Sequence, residues 1–222
     1  MEKIVRWNPI GNDKFAYKMT YHLYLLTPEF KTKYFSELGM EIISHIERYG
    51  YSVEVIEEFF GEVLVNEKGE IEFVPTPDTI GVTAESIKKI LFSVNAIKRM
   101  KRKISYYRKK SSDPQWLSSW MKKHNAGIPN TEPFYWPESL IHELSHVVVI
   151  EEKLSDYIKR REYEGKYKNE FLKPTNTNLP KYLVSKMETL DHGRDFRRVY
   201  RSFCKKYGVK PDSRYAEAKE NE

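Results

Sequence analysis

The chain reads as an α+β protein, mostly helical with a small antiparallel sheet, built around a helix that carries His142-Glu143-Leu144-Ser145-His146. Apolar residues recur at helical spacing in several long segments, alternate like strands in short ones between residues 51 and 74, and crowd around that pentapeptide. With 222 residues, 40% hydrophobic and 14% aromatic, the sequence can bury one sizeable core. That composition excludes a largely disordered protein. The expected organisation is a single domain, 1–222, either undivided or as two lobes (1–110 and 111–222) around a cleft.

In chain order, Thr27-Pro28-Glu29 opens a helix whose apolar positions Phe30, Tyr34, Leu38, Ile42 and Ile46 repeat until Gly50 stops it. His45 on this helix reads as structural. Tyr51, Val53 and Val55 alternate as a strand, and Val63–Val65 with Ile71–Val74 flank Asn66-Glu67-Lys68-Gly69 as a hairpin would. Thr83 is expected to cap a long helix with apolar positions Ile87, Ile90, Leu91, Val94, Ile97 and Ile104. Residues 111–135 are irregular apart from a short helix around Trp116–Lys123. Pro137 and Glu138 suit the first turn of the next helix, where a missing N–H costs nothing and a carboxylate meets the positive dipole end. Its β-branched run Val147–Ile150 forms helix poorly, so burial must hold it. Pro174–Pro180 is a loop. The last long helix carries Phe196, Val199, Tyr200, Phe203 and Tyr207 on one stripe and stops at Gly208.

HExxH at helical spacing sends His142 and His146 out of one face, one turn apart, where both imidazoles reach a single metal ion. Glu143 lies about 100° round the helix, placed to take a proton from a water on that ion. A catalytic zinc site takes three protein ligands and keeps its fourth position open. Of the six histidines, His192 is best placed to be the third, in Asp191-His192-Gly193-Arg194-Asp195-Phe196, with Glu164, Glu170 and Glu188 as carboxylate alternatives. Tyr200 and Arg194 are candidates to stabilise an oxyanion.

HELSH followed downstream by HGRDF resembles the SprT-like metallopeptidases, which include the Spartan proteases, and is similar to the related WLM proteases. The resemblance covers roughly residues 137–150 and 191–204. It implies a zincin-like fold, one Zn2+ held by His142, His146 and His192, Glu143 as general base, and protein substrates crosslinked to or trapped on DNA. The gap between the two blocks is long and carries the mixed-charge segment Glu151–Glu170, read as an insertion at about 151–190. A lone cysteine, Cys204, leaves no Cys-rich zinc ribbon and reads as a packed thiol.

The net charge of +6 is concentrated. Residues 86–112 hold ten Lys and Arg and no acid, with Lys98, Arg99, Lys101, Arg102, Lys103, Arg108, Lys109 and Lys110 as candidate nucleic-acid contacts and Tyr106 and Tyr107 among them. A second stripe, Arg194, Arg197, Arg198, Arg201 and Lys205, follows His192. The first thirty residues lack the pattern of a signal peptide, and no apolar run approaches a membrane span of ~20 residues. With a single cysteine, the expectation is a cytoplasmic protein without a membrane partner. The functional expectation is a zinc metalloprotease acting on protein or peptide substrates, some of them DNA-associated. Two others stand beside it: a zinc peptidase with a carboxylate third ligand and no nucleic-acid role, and a non-enzymatic nucleic-acid-binding protein with a structural metal site.

Overall fold

In the computed structural model, residues 3–7, 19–24, 35–56, 64–65, 71–73, 79–85, 88–124, 131–167 and 181–216 are described. Five strands, β1 (Lys3–Trp7), β2 (Met19–Tyr24), β3 (Ser52–Ile56), β6 (Gly81–Ala84) and β7 (Lys89–Ser93), form one sheet in the order β1-β2-β3-β7-β6. The short strands β4 (Leu64–Val65) and β5 (Ile71–Phe73) pair antiparallel by themselves, as the hairpin reading requires. The larger sheet is mixed and not antiparallel throughout: β3 runs parallel to β7, with Ser52 opposite Lys89 and Ile56 opposite Ser93. The burial explains it. Ile90, Leu91 and Phe92 are consecutive and fully buried, which a strand covered on both faces permits and a one-sided antiparallel strand does not.

The same run overturns the helix expected from Thr83. Ile90 and Leu91 match helical spacing with Val94 and Ile97, but they belong to β7, and the helix α2 (Val94–Lys110) starts only at Ser93, whose hydroxyl accepts the Ala96 N–H at 3.1 Å. Thr83 lies instead on β6, joined to β7 through a turn in which Lys88 adopts a positive φ of 51°. The helix expected from Thr27 starts outside the described residues. Phe35 and Ser36 are not helical, and Ser36 caps α1 (Glu37–Arg48), which buries Ile42, Ile43 and Ile46 and ends at Gly50 with φ +80°.

Helix α3 (Pro114–His124) matches the short helix expected there. Helix α4 (Trp136–Glu151) carries HELSH through the centre of the molecule, packed against α1, β6 and α7 (Arg194–Tyr207). Leu140, Ile141, Leu144, Val147 and Val148 are all buried, so the β-branched end is held by its surroundings. Helix α7 buries Phe196, Tyr200 and Cys204 and ends where Gly208 turns left-handed, φ 63°. Burial pushes the Cys204 thiol up to about 11, as a packed sulfur requires. The segment read as an insertion forms α5 (Ser155–Lys166) and α6 (Lys181–Asp191), which pack on each other, with α5 also against α7. Residues 174–180, read as a loop, lie outside the described residues. A last turn, α8 (Ser213–Ala216), packs back on α7 and buries Tyr215. Among the described residues no helix is long and apolar enough to cross a membrane.

Ser93→Ala removes a buried cap and is expected to lower the unfolding free energy by about 1 kcal/mol, read as a lower urea midpoint at unchanged slope. The same substitution at Thr83 tests the corrected boundary: it leaves the helical far-UV signal intact.

Candidate metal centre

The rigid mount for the site is α4. Because His142 and His146 are four residues apart on this buried helix, their rings project together, and their Nε2 atoms stand 3.2 Å apart. His192, at the end of α6, brings its own Nε2 to 3.2 Å from that of His142. One ligand atom from each of the three lies within 4.8 Å of the others, close enough to bind one metal ion. Among the described residues no other cluster of His, Cys, Asp or Glu has this geometry.

The electrostatics prepare the nitrogens as ligands. Burial, reinforced for His146 by His142 and His192, holds the first two imidazoles well below their ordinary pKa, so they are neutral near pH 7 with lone pairs available. Glu143 is 5% exposed, and burial raises its carboxyl to about 8 against the hydrogen bond that Thr83 Oγ1 donates to Oε2 at 2.9 Å. A dication among the imidazoles works in the opposite direction and favours the carboxylate. The donor set therefore fits a metal: three converging imidazole nitrogens, two of them held neutral by burial, and a carboxylate beside them that is not itself in the cluster. Gly81 on β6 explains how Glu143 fits, since a Cβ there would stand 2.6 Å from its Oε1.

His192 is held by residues that carry no local signal in the sequence. Gly193 is the N-cap of α7 and has no side chain to serve its amides, so the Asp156 carboxylate of α5 accepts the Phe196 N–H at 3.0 Å. Only glycine allows this, because a Cβ at 193 would fall 2.5 Å from Asp156 Oδ1. On the other side of His192, Arg160 joins Glu164 and Asp191, each at 2.8 Å. Arg197 Nε donates to the His192 carbonyl at 3.0 Å. Arg161 and Tyr157 both reach Glu85 just beyond β6, tying α5 to the sheet.

The carboxylate alternatives fare differently. Glu164 is buried but committed to Arg160 and Arg161, the latter at 3.0 Å, and stands outside the cluster. Glu170 and the side chain of Glu188 lie outside the described residues. Tyr200 is not free to stabilise an oxyanion: its hydroxyl donates to Glu138 at 2.5 Å and accepts the Asp212 N–H at 2.8 Å. Arg194 is exposed. Two residues that sequence reasoning passed over, Arg214 and Tyr215, line the cavity beside the histidines, and the Tyr215 ring stacks on His192 with centroids 5.1 Å apart. His45 is structural, its Nδ1 2.7 Å from the Tyr207 hydroxyl.

The basic cluster divides. Lys88 and Lys89 pair with Glu151 and Glu54 and leave the cationic surface. On α2, Lys98, Lys101, Arg102, Lys103, Arg108 and Lys109 are exposed, while Arg99 and Lys110 are half-buried. Tyr106 and Tyr107 pack near Trp116 and Trp120 of α3, with centroids 5.6 to 6.0 Å apart. The second stripe is largely engaged with its own helix: Arg198 reaches Asp195, and Arg201 the Arg197 carbonyl.

Gly193→Ala and Asp156→Ala are each expected to weaken metal binding about 10- to 100-fold, measured by competition with a chelating dye, while the far-UV spectrum stays that of the folded protein. Unchanged affinity in both variants would remove α5 from the description of the site. Compared with known protein families, characterised proteins and solved structures, the chain matches none of the three.

Proposed function

We propose that this protein is a zinc-dependent metallopeptidase of zincin-like fold, with His142, His146 and His192 as ligands and Glu143 as general base. The observation that carries this reading is the convergence of three Nε2 atoms beside a buried carboxylate, at the wall of a cavity of about 500 Å3 that His142, Glu143 and His192 all line. When bound, zinc supplies Lewis acidity towards water and towards a peptide carbonyl. Glu143 takes the proton of the attacking water and delivers it to the leaving amine. Thr83 orients that carboxylate from the strand next to it. Burial of the site keeps bulk water from competing.

A peptide substrate is supported by β6. Among the described strands it bonds β7 alone and lies beside Glu143, so an extended chain added at this end of the sheet would run past the carboxylate. Closure of the site by a fourth protein ligand, as in a structural zinc site, has no candidate in the cluster among the described residues. The exposed cations of α2 beside the aromatic rings of α3 support contact with nucleic acid through phosphates and stacking, and so DNA-associated proteins as substrates in the cytoplasm.

Glu143→Gln is expected to retain stoichiometric zinc and to lose peptide hydrolysis by roughly 10²- to 10⁴-fold, whereas His192→Ala loses the ion. Zinc that survives His192→Ala at full occupancy sinks the ligand assignment. For the basic face, reversing Lys101, Arg102 and Lys103 to Glu is expected to weaken binding to any DNA sequence alike and to flatten its salt dependence, by about one unit of log–log slope per lost phosphate contact. Unaltered binding in a fluorescence anisotropy titration would separate the protease from nucleic acid.

A further inference from the structure

The cavity beside the histidines is lined by side chains of two kinds. His142, Glu143 and His192 supply the polar part. Ile80, Phe92, Met100, Ile104 and Phe134 supply an apolar wall, which meets the polar part where Phe92 and Glu143 both crowd Gly81. Phe92 and Phe134 are fixed there by edge-to-face packing on Trp136, with centroids 5.2 and 5.0 Å away, so the wall is built before any ligand arrives. Ile80, Met100 and Phe134 remain half-buried, which leaves their apolar surface partly available to a ligand.

The charges around this cavity are already satisfied. Arg214 is held by both oxygens of Asp212, at 2.8 to 3.1 Å. The Glu138 carboxyl receives the Tyr200 hydroxyl, and Lys210 pairs with Glu132 at 2.5 Å. A charged side chain entering the cavity would have to compete with these existing pairs as it lost hydration, whereas an apolar one replaces water on a surface that gains from the exchange. A volume of about 500 Å3 falls within the ~300–1,000 Å3 of typical ligand pockets.

We infer that the wall of Ile80, Phe92, Met100, Ile104 and Phe134 is a specificity subsite that receives a large apolar side chain, aromatic or long aliphatic, next to the bond to be cleaved. The inference rests on the hydrolase reading above and adds its substrate class: peptides with a bulky apolar residue flanking the scissile bond. Met100 and Ile104 come from the helix whose outer face bears the cations, so the wall and the basic surface are two sides of one element.

The test uses the zinc-loaded full chain and two probes, acetohydroxamate and a hydroxamate carrying a benzyl side chain, with binding followed by calorimetry. The benzyl compound is expected to bind about 100-fold more tightly, with the advantage lost in Met100→Glu while zinc content and acetohydroxamate affinity stay as in the wild type. Equal affinity of the two probes for the wild type, or an advantage that persists in Met100→Glu, overturns the subsite. Failure of both probes to bind a stoichiometrically zinc-loaded protein overturns the open metal site on which it depends. In parallel, cleavage of a peptide mixture, mapped by mass spectrometry, is expected to place Phe, Leu, Ile or Met at one fixed position beside the cut. Cuts indifferent to side-chain size at both flanking positions also overturn it.

Discussion

Everything in this structure depends on one helix being buried on nearly every side. Helix α4 is enclosed by α1, β6 and α7, and its apolar residues are out of solvent almost without interruption. That burial stabilises a helix whose β-branched end forms poorly in isolation. It also desolvates His142, Glu143 and His146, which is why the imidazoles are neutral and the carboxyl is raised. Packing and chemistry are therefore one problem here: the helix cannot be loosened to ease the buried carboxylate without also moving two of the three clustered histidines.

How much of this the sequence discloses follows from how local each interaction is. The HELSH helix, the α7 stripe with its glycine stop and the three histidines are legible because their signals lie within a turn or two of chain. The segment 83–93 is not, because Ile90-Leu91-Phe92 satisfies both a buried strand and the apolar spacing of a helix, and only its partner β3, more than thirty residues earlier, decides between them. The parallel pairing is hidden for the same reason. Asp156 and Arg160 sit in a segment that looks like solvated mixed charge, yet Asp156 is 6% exposed and caps a helix forty positions downstream. Nothing short-range marks them.

The segment between the two sequence blocks is thus a bracket for His192. Its helix α5 touches the chain just before and just after that histidine, through Asp191 and through Gly193 and Phe196, and also touches the end of β6. Sites of this kind need orientation held to fractions of an ångström, and ion pairs with little exposure provide it better than surface pairs do. Glycine at 193 is required by this contact more than by any need for an unusual backbone angle: its φ of −73° is ordinary.

The chain between His146 and His192 has one further consequence. Two of the three histidines are local neighbours on α4 and the third lies just beyond α6, so an ion held by all three would act as a crosslink that closes a long loop. Such a crosslink removes conformations from the unfolded chain as well as adding contacts to the folded one. Metal occupancy would then report that His192 has reached α4: a chain in which it has not offers only two of the three nitrogens.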